Sequence, residues 1–578
     1  MNTSAVIQRW VPGLQLVRTY EREWFRSDLL AGLSIAAVAL PIGIAYAQLG
    51  GFPPVAGIYS CILPAVAYAI FGSSRQLVVN PDAAACAIVA ATLAPLALGN
   101  ANRYADLAIV LTFVTGLLCL AGGMIGFGNI ANFLSRPILT GYLNGIALTI
   151  IAGQLGTLLG YKVPPGGFFH TVAGVVSRLG QTHLPTIAVG LSLFVLLLVL
   201  KRVVPKVPGP LIAAVLACAA VYFWGLQHRG VAVVGAVPSG LPVPRIPALA
   251  VADLKPILFG AAGIMLVSFC SMMTTARGFA AKNGYSINVN QDMFALGMSD
   301  IAAALSQGFV VSGADSRTAV ADSAGGRTQV ATIVAAVAMT LVLLFLTVPL
   351  ASLPTAALAA ILISSAFGLF DINSLIEYYK ISKPEFAQAM VAMLGVMTLG
   401  VLPGVLVAVV LAILHLLRVA SRPHERVLVL ADAQDENALV YKELGEEGPT
   451  IPGLLIYRFD GSLLFFNADH FMQRVRSLVS NAGTKPEWFI LDAEAMSLLD
   501  ITGAFALESL RAELADQKIV FAIVRERTPF HAMLKRAGVA ESIGAENLYL
   551  TIHQGAHAFL AQRSLVSRSP EVVGHQSH

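Results

Sequence analysis

Two stretches decide the fold: RQLVVNPDAAA at residues 75–85 and GFVVSGADSR at residues 308–317. Each opens with an apolar, β-branched run and meets a breaker, at Asn80-Pro81 or at Ser312-Gly313. Each then turns into small and polar residues suited to a helix start, at Asp82-Ala83-Ala84 or at Ala314-Asp315-Ser316. The pattern predicts an extended segment followed by a short helix in both places. Both lie within long apolar surroundings, where irregular backbone is tolerated only if it lines a cavity. Paired helix N-termini aimed at the bilayer midplane offer free N–H groups and a positive dipole end, which is an anion site. The competing reading is that both are proline or glycine kinks in ordinary helices; the polar residues gathered at both breaks argue against it.

The rest of the chain supplies the membrane. Of 578 residues, 56% are hydrophobic and 12% are charged, about half the charged share of a soluble globular chain, roughly 25%. The acids are uneven: 20 of the 33 fall between Glu425 and Glu571, and 11 between Asp28 and Glu385. One part is therefore built for lipid and the other for water. A net charge of +4, scattered along the chain, gives no nucleic-acid footprint. Cys61, Cys86, Cys119, Cys218 and Cys270 lie in apolar segments without a CxxC pair, so neither a disulfide framework nor a zinc site is implied, and no metal centre is expected. Residues 1–27 lack the apolar core and cleavage site of a secretory signal and are read as a cytosolic N-terminal segment.

A crossing helix needs about 20 apolar residues. Between Arg327 and Asp371 lie 43 positions without a charge, broken at Leu353-Pro354, which makes two crossings; Glu385 to Arg418, broken at GVLPG (400–404), makes two more. The same rule gives spans near 28–49, 54–72, 82–98, 105–127, 138–160, 184–200, 208–226, 256–276, 288–306, 314–326, 328–350, 354–370, 385–400 and 402–418, fourteen in all. With a cytosolic N-terminus, Lys and Arg in the connections sort sixteen inside (Arg9, Arg18, Arg22, Arg26, Arg75, Arg136, Lys201, Arg202, Lys206, Arg277, Lys282, Arg327, Lys380, Lys383, Arg418, Arg422) against six outside (Arg103, Lys162, Arg178, Arg229, Arg245, Lys255). That asymmetry obeys the positive-inside rule. The two breaks fall in spans three and ten, seven apart, so they enter the bilayer from opposite sides, as an inverted repeat requires.

The strings DLLAGLSIAAVALPIGIAYAQLGGFPPVAGIYS from Asp28, FGSSRQLVVNPDAA from Phe71 and GADSRTAV from Gly313 resemble the sulfate permease (SulP) family, bacterial relatives of the animal multifunctional anion exchangers. The resemblance implies an α-helical polytopic membrane protein with fourteen spans as a 7+7 inverted repeat, divided into core and gate domains. An anion would sit between the N-termini of spans three and ten and move elevator-fashion. Carried over, the substrate site is Asn80, Pro81, Asp82, Ala83 and Ala84 on span three and Gly313, Ala314, Asp315 and Ser316 on span ten, with Pro41 to Tyr46 of span one closing the pocket.

Two departures bear on coupling. Many relatives carry a carboxylate on span eight, where VSFCSMMTTAR has Ser271, and an apolar residue or threonine before the SRT of span ten, where this chain has Asp315. A carboxylate beside an anion repels it unless it is protonated or cation-bound, so Asp315, with Ser271 and Thr275, is assigned to H⁺ or Na⁺ coupling, with Na⁺ placed near Asp315. Alternatively Asp315 caps the span-ten helix or pairs with Arg317, and Asp82 serves as a dipole partner in its first turn. Arg317 either supplies positive field to the anion or anchors the helix at an interface. Thr274 and Thr275 either offer hydroxyl ligands or bond back to the i−4 carbonyl. Asp371, Glu377, Lys380 and Lys383 read as a solvated cytosolic turn.

Residues 28–422 form the membrane domain and 423–452 a polar linker. A small α/β domain follows over 453–563, with strands near 454–459, 463–466, 488–492 and 519–524, helices near 468–481, 502–517 and 529–538, and a disordered tail at 564–578. It resembles the STAS domain shared by sulfate transporters and anti-sigma-factor antagonists. LLDITG places Asp500 and Thr502 where those antagonists are phosphorylated, so Thr502 is either a regulatory phosphosite facing a cytosolic partner or, with Asp500, a helix cap. His470 and His531 receive no role.

No Walker motif, nucleophile triad or metal cluster stands in the sequence, which removes ATP-driven transport and membrane enzymology. The expectation is a non-enzymatic secondary transporter of a small inorganic oxyanion or bicarbonate, coupled to H⁺ or Na⁺, in the cytoplasmic membrane. The termini are expected in the cytosol, and the resemblance implies a homodimer. An uncoupled anion conductor, a dicarboxylate carrier and a membrane-anchored STAS signalling protein are the alternatives.

Overall fold

The computed structural model describes residues 11–13, 19–128, 135–163, 167–204, 208–243, 247, 253–430, 439–443 and 451–567. The chain divides into two compact units, Met1–Leu411 and Ala412–His578. Among the described residues, helices occupy all fourteen places marked by the apolar intervals. They are Trp24–Leu49; Pro54–Tyr59 with Leu63–Phe71; Ala83–Ala97; Ala101–Met124; Arg136–Leu159; Leu184–Val203; Gly209–Trp224; Leu254–Lys282; Val289–Leu305; Asp315–Ser323; Val330–Phe345 with Thr347–Ala351; Thr355–Leu369; Lys383–Leu399; and Val401–Ser421. Seven are long and apolar enough to cross a bilayer alone, counting Pro54–Phe71 as one crossing and running Thr355 on to Ile381. Spans three and ten are among the short ones, at 15 and 9 residues.

Within the first unit the spans sort into two packed groups. Spans one to four pack with eight to eleven, and five to seven pack with twelve and thirteen; span one also touches seven and twelve. The seams use small residues, because without a hydrophobic drive between helices in lipid, close van der Waals approach must hold them. Spans four and nine meet at Gly116 and Gly297, where a Cβ on either glycine would stand 2.6–2.8 Å from the other's carbonyl oxygen. Spans five and thirteen meet at Gly141 against the Ala389 carbonyl.

Two connections differ from expectation. The charged segment after span twelve is a helix, Ile372–Ile381, because Asp371 accepts the Ser374 N–H at 3.0 Å and its hydroxyl at 2.6 Å, an N-cap that a turn reading overlooks. A short helix, Phe168–Ser177, also lies between spans five and six.

After the two short strands of the first unit, β1 (Val79–Asn80) and β2 (Ser312–Gly313), the second unit has a sheet of order β4-β3-β5-β6-β7-β8, with β3 (Glu425–Leu430), β4 (Leu439–Glu443), β5 (Leu454–Phe459), β6 (Trp488–Asp492), β7 (Val520–Val524) and β8 (Leu548–Tyr549). Strands β5 to β8 run parallel, and β3 joins β5 and β4 antiparallel. Segment 423–452 is thus not simply a linker: ERVLVL supplies an inner strand, and the polar run after it hides that. The expected strand at 463–466 is a turn instead. Asn467 accepts the Leu464 N–H at 2.8 Å and donates to the Ser462 carbonyl at 2.9 Å, leaving one bridge, Leu463 to Leu499.

One face of the sheet buries Phe459, Phe489, Leu491 and Phe521 against helices Ala468–Ser480, Ile501–Asp516 and Thr528–Arg536. The other packs Ile456, Ile490 and Val524 under Phe559 of the final helix, Ile552–Ser567. That helix takes in residues 564–567 of the expected tail; 568–578 lie outside the described residues. His470 and His531 are not lone: they meet Glu425 at 2.8 Å and Glu526 at 2.7 Å.

Candidate functional site

The two stretches that open the sequence reading meet in space. β1 (Val79–Asn80) pairs antiparallel with β2 (Ser312–Gly313), Val79 opposite Gly313 and Asn80 opposite Ser312. Proline cannot continue the ladder, and it holds the residue before it extended. Pro81 therefore ends β1, and Asp82 starts span three. Gly313 is required by contact: a Cβ there would stand 2.9 Å from the Met272 Cα of span eight.

Extended backbone inside a bilayer must find partners from the protein. Buried polar side chains supply them. Ser60 accepts the Phe309 N–H at 2.8 Å, Asp300 the Val311 N–H at 2.9 Å, and Thr318 the Val78 N–H at 3.1 Å, while Gln329 donates to the Ser74 and Leu77 carbonyls at 2.9 and 2.8 Å. Asp28 of span one accepts from the Arg327 and Thr328 N–H groups at 2.7 and 3.2 Å. The sequence reading passed over this scaffold, although each member is a polar residue in an apolar stretch.

The two helix starts are finished differently. At span three, Asp82 is the N-cap, and its carboxylate accepts the Ala84 N–H at 3.1 Å. At span ten the N-cap is Ala314, whose side chain caps nothing, so among the described residues no side chain closes the first-turn donors. Asp315 stands one residue further on, hydrogen-bonded by the Thr275 hydroxyl of span eight. It is neither the cap nor the partner of Arg317. Among the described residues, the Arg317 guanidinium reaches across to the other half-helix, donating from Nη2 to the Pro81 carbonyl at 2.8 Å and lying 5.3 Å over the Tyr46 ring. Arg317 is 2% exposed and its Nε has no partner, so it is no interfacial anchor.

Asp82, Asp315, Ser316, Arg317 and Tyr46 line one cavity of about 580 Å³. The remaining carried-over residues stand behind that wall: Pro41, Asn80, Pro81, Ala83, Ala84, Gly313 and Ala314 are buried and shape it through the backbone. Ser271 is buried too, and its carbonyl accepts the Thr275 hydroxyl at 3.3 Å; Thr274 bonds back to Cys270 at 3.0 Å. The opposite wall comes from the other group of spans, with Lys201 on span six and Ser364 and Ser365 on span twelve. The sequence reading missed all three; adjacent serines in an otherwise apolar span were the available signal.

In the second unit Asp500 is the cap of Ile501–Asp516, accepting the Gly503 N–H at 2.7 Å and the Phe465 N–H at 2.8 Å. Thr502 is exposed in that first turn.

A polytopic helical protein with two half-helices meeting at a cation-bearing cavity is, as a class, a membrane transporter. The chain belongs to the sulfate permease family: the description "Sulfate permease family" matches residues 25–393, and "STAS domain" matches residues 447–555. A probable sulfate transporter of Mycobacterium tuberculosis is 40% identical over 554 residues, 95% of this chain and 98% of that one. Murine Solute Carrier 26 family member A9, an anion transporter solved in the inward-facing state, superposes with a TM-score of 0.90 at 23% identity, covering 97% of this chain and 95% of that one. The transmembrane domain of the cyanobacterial bicarbonate transporter BicA gives 0.60 at 21% identity, covering 68% of this chain and 98% of that one. The fold is thus that of a helical membrane transporter with a 7+7 repeat and a C-terminal STAS domain.

Proposed function

We propose that the chain is a secondary transporter of a small inorganic oxyanion, sulfate foremost, which binds at the open N-terminus of span ten beside Arg317 and travels with a cation. The probable sulfate transporter 40% identical over nearly the whole length favours sulfate. One observation carries the coupling: two carboxylates, Asp82 and Asp315, line the cavity with one buried guanidinium, Arg317. Lys201 across the cavity brings the lining to neutrality, but without a bound proton or Na⁺ the half-helix wall itself carries two carboxylates against one guanidinium, and the Asp315 carboxylate beside the open span-ten donors repels the substrate. A cation at Asp315, where the Thr275 hydroxyl adds an oxygen, removes that repulsion and so ties anion entry to cation entry.

The cavity lies where span one and the half-helices face spans six, seven and twelve. It is lined by Lys201, Pro208 and Gly368, at span ends that the Lys and Arg distribution assigns to the cytosol. That arrangement fits an inward-open step of an elevator in which spans one to four and eight to eleven slide against the rest. The protein would work as a homodimer in the cytoplasmic membrane with both termini in the cytosol, and the exposed Thr502 turn would receive a regulatory partner. Uptake of labelled sulfate, bicarbonate, succinate, nitrate and chloride into proteoliposomes, with and without H⁺ and Na⁺ gradients, tests this reading. It expects gradient-driven sulfate uptake; gradient-independent flux of every anion would contradict it.

A further inference from the structure

A second cavity, of about 500 Å³, lies away from the anion site, between spans six and seven. Its size is within the range of small-ligand sites, roughly 300–1,000 Å³. Leu184, Ala188 and Leu193 of span six face Ala217 and Trp224 of span seven across it, and Arg229 stands at one end. The groove opens outward: Leu184 is 76% and Trp224 67% exposed. Of the basic residues assigned to the same membrane side, Arg103 is already paired, with the Asp253 carboxylate at 3.0 Å. Among the described residues nothing pairs with Arg229.

We propose that this groove holds one anionic phospholipid, its phosphate on Arg229 and one acyl chain between the two spans. Three features fit that occupant. From Leu184 to Leu193 is nine residues, roughly 14 Å at about 1.5 Å per residue, close to half of a hydrocarbon core about 30 Å thick. The groove is therefore as deep as one leaflet. Trp224 sits at the same end as Arg229, where an aromatic ring marks the headgroup level. A guanidinium suits a phosphate by its planar donor fork, and an unpaired one leaves a positive charge that an anionic headgroup neutralises.

The test uses the full-length protein, purified, delipidated and titrated with phosphatidylglycerol or phosphatidylcholine, with bound lipids counted by native mass spectrometry. The parent should retain one tightly bound lipid and prefer phosphatidylglycerol by roughly two- to fivefold, the span of one partly exposed ion pair. Arg229→Gln, at an exposed position that leaves folding intact, should abolish the preference. Ala217→Trp should fill the groove and remove the retained lipid. A parent without preference, an Arg229→Gln protein with the preference unchanged, or a folded Ala217→Trp protein that still holds the lipid would each overturn the proposal.

Discussion

Span three and span ten arrive at the same cavity with opposite finishes. Span three continues as AAACAIVAATLAPLA, apolar but for Thr92, and closes its own positive end with the Asp82 carboxylate. Span ten reads DSRTAVADS, leaves its positive end uncapped behind Ala314, and sends Arg317 across to the Pro81 carbonyl of its counterpart. An inverted repeat thus supplies equivalent backbones, while the side chains divide the labour. Span three contributes a rigid, self-satisfied wall; span ten contributes the open donors, the cation and a second carboxylate. In the proposed reading, this asymmetry lets two similar half-helices form one anion site rather than two competing ones.

The largest way to break this contrast is Arg317→Gln. Removing one partner from a buried charged hydrogen bond costs about 3–5 kcal/mol, so sulfate affinity, read by binding to the purified protein, should fall by roughly two to four orders of magnitude. Next comes Asp315→Asn, which keeps size and hydrogen bonding to Thr275 but removes the charge. Equilibrium sulfate binding should survive or tighten, while stimulation of uptake by an imposed H⁺ or Na⁺ gradient should vanish; uptake as gradient-dependent as in the parent would reduce Asp315 to a structural partner of Thr275.

Asp82→Ala sharpens the comparison from the other side. Loss of an N-cap costs about 1 kcal/mol, so thermal unfolding should begin slightly earlier, and an uncapped span three should then bind anions less selectively. The smallest effect belongs to Lys201→Gln, across the cavity from the half-helices. Steering by a charge at a cavity wall acts on the rate of entry and is screened by salt, so uptake should slow by about twofold at low ionic strength and match the parent at high salt.

Much of this contrast is legible in the sequence. Asn80-Pro81 and Ser312-Gly313 break the apolar runs so sharply that strand then short helix follows, and the two-rung pairing of β1 with β2 bears out the extended segments. The direction of individual side chains was not legible. Sequence alone does not decide whether Arg317 is a field source or an interfacial anchor; the fold buries it against Tyr46 and Pro81. The resemblance puts Ala83 and Ala84 in the substrate site, yet a helix turns about 100° per residue, and both are buried behind the cavity wall that Asp82 lines. Lys201, Ser364 and Ser365 come from spans far away in sequence, which no local pattern ties to the breaks. The missed strand β3 has a similar cause, since its partner β5 lies beyond a polar stretch that masks their pairing.

The central claim is that the anion lodges at the uncapped start of span ten, against Arg317, and not at the capped start of span three. A structure determined with selenate, whose selenium marks the oxyanion by anomalous scattering, addresses it directly. The account predicts one strong peak within hydrogen-bonding reach of the Ser316 and Arg317 backbone N–H groups and the Arg317 guanidinium, lost in Arg317→Gln. A peak on the far side of Asp82, or one that persists unchanged in Arg317→Gln, would contradict it.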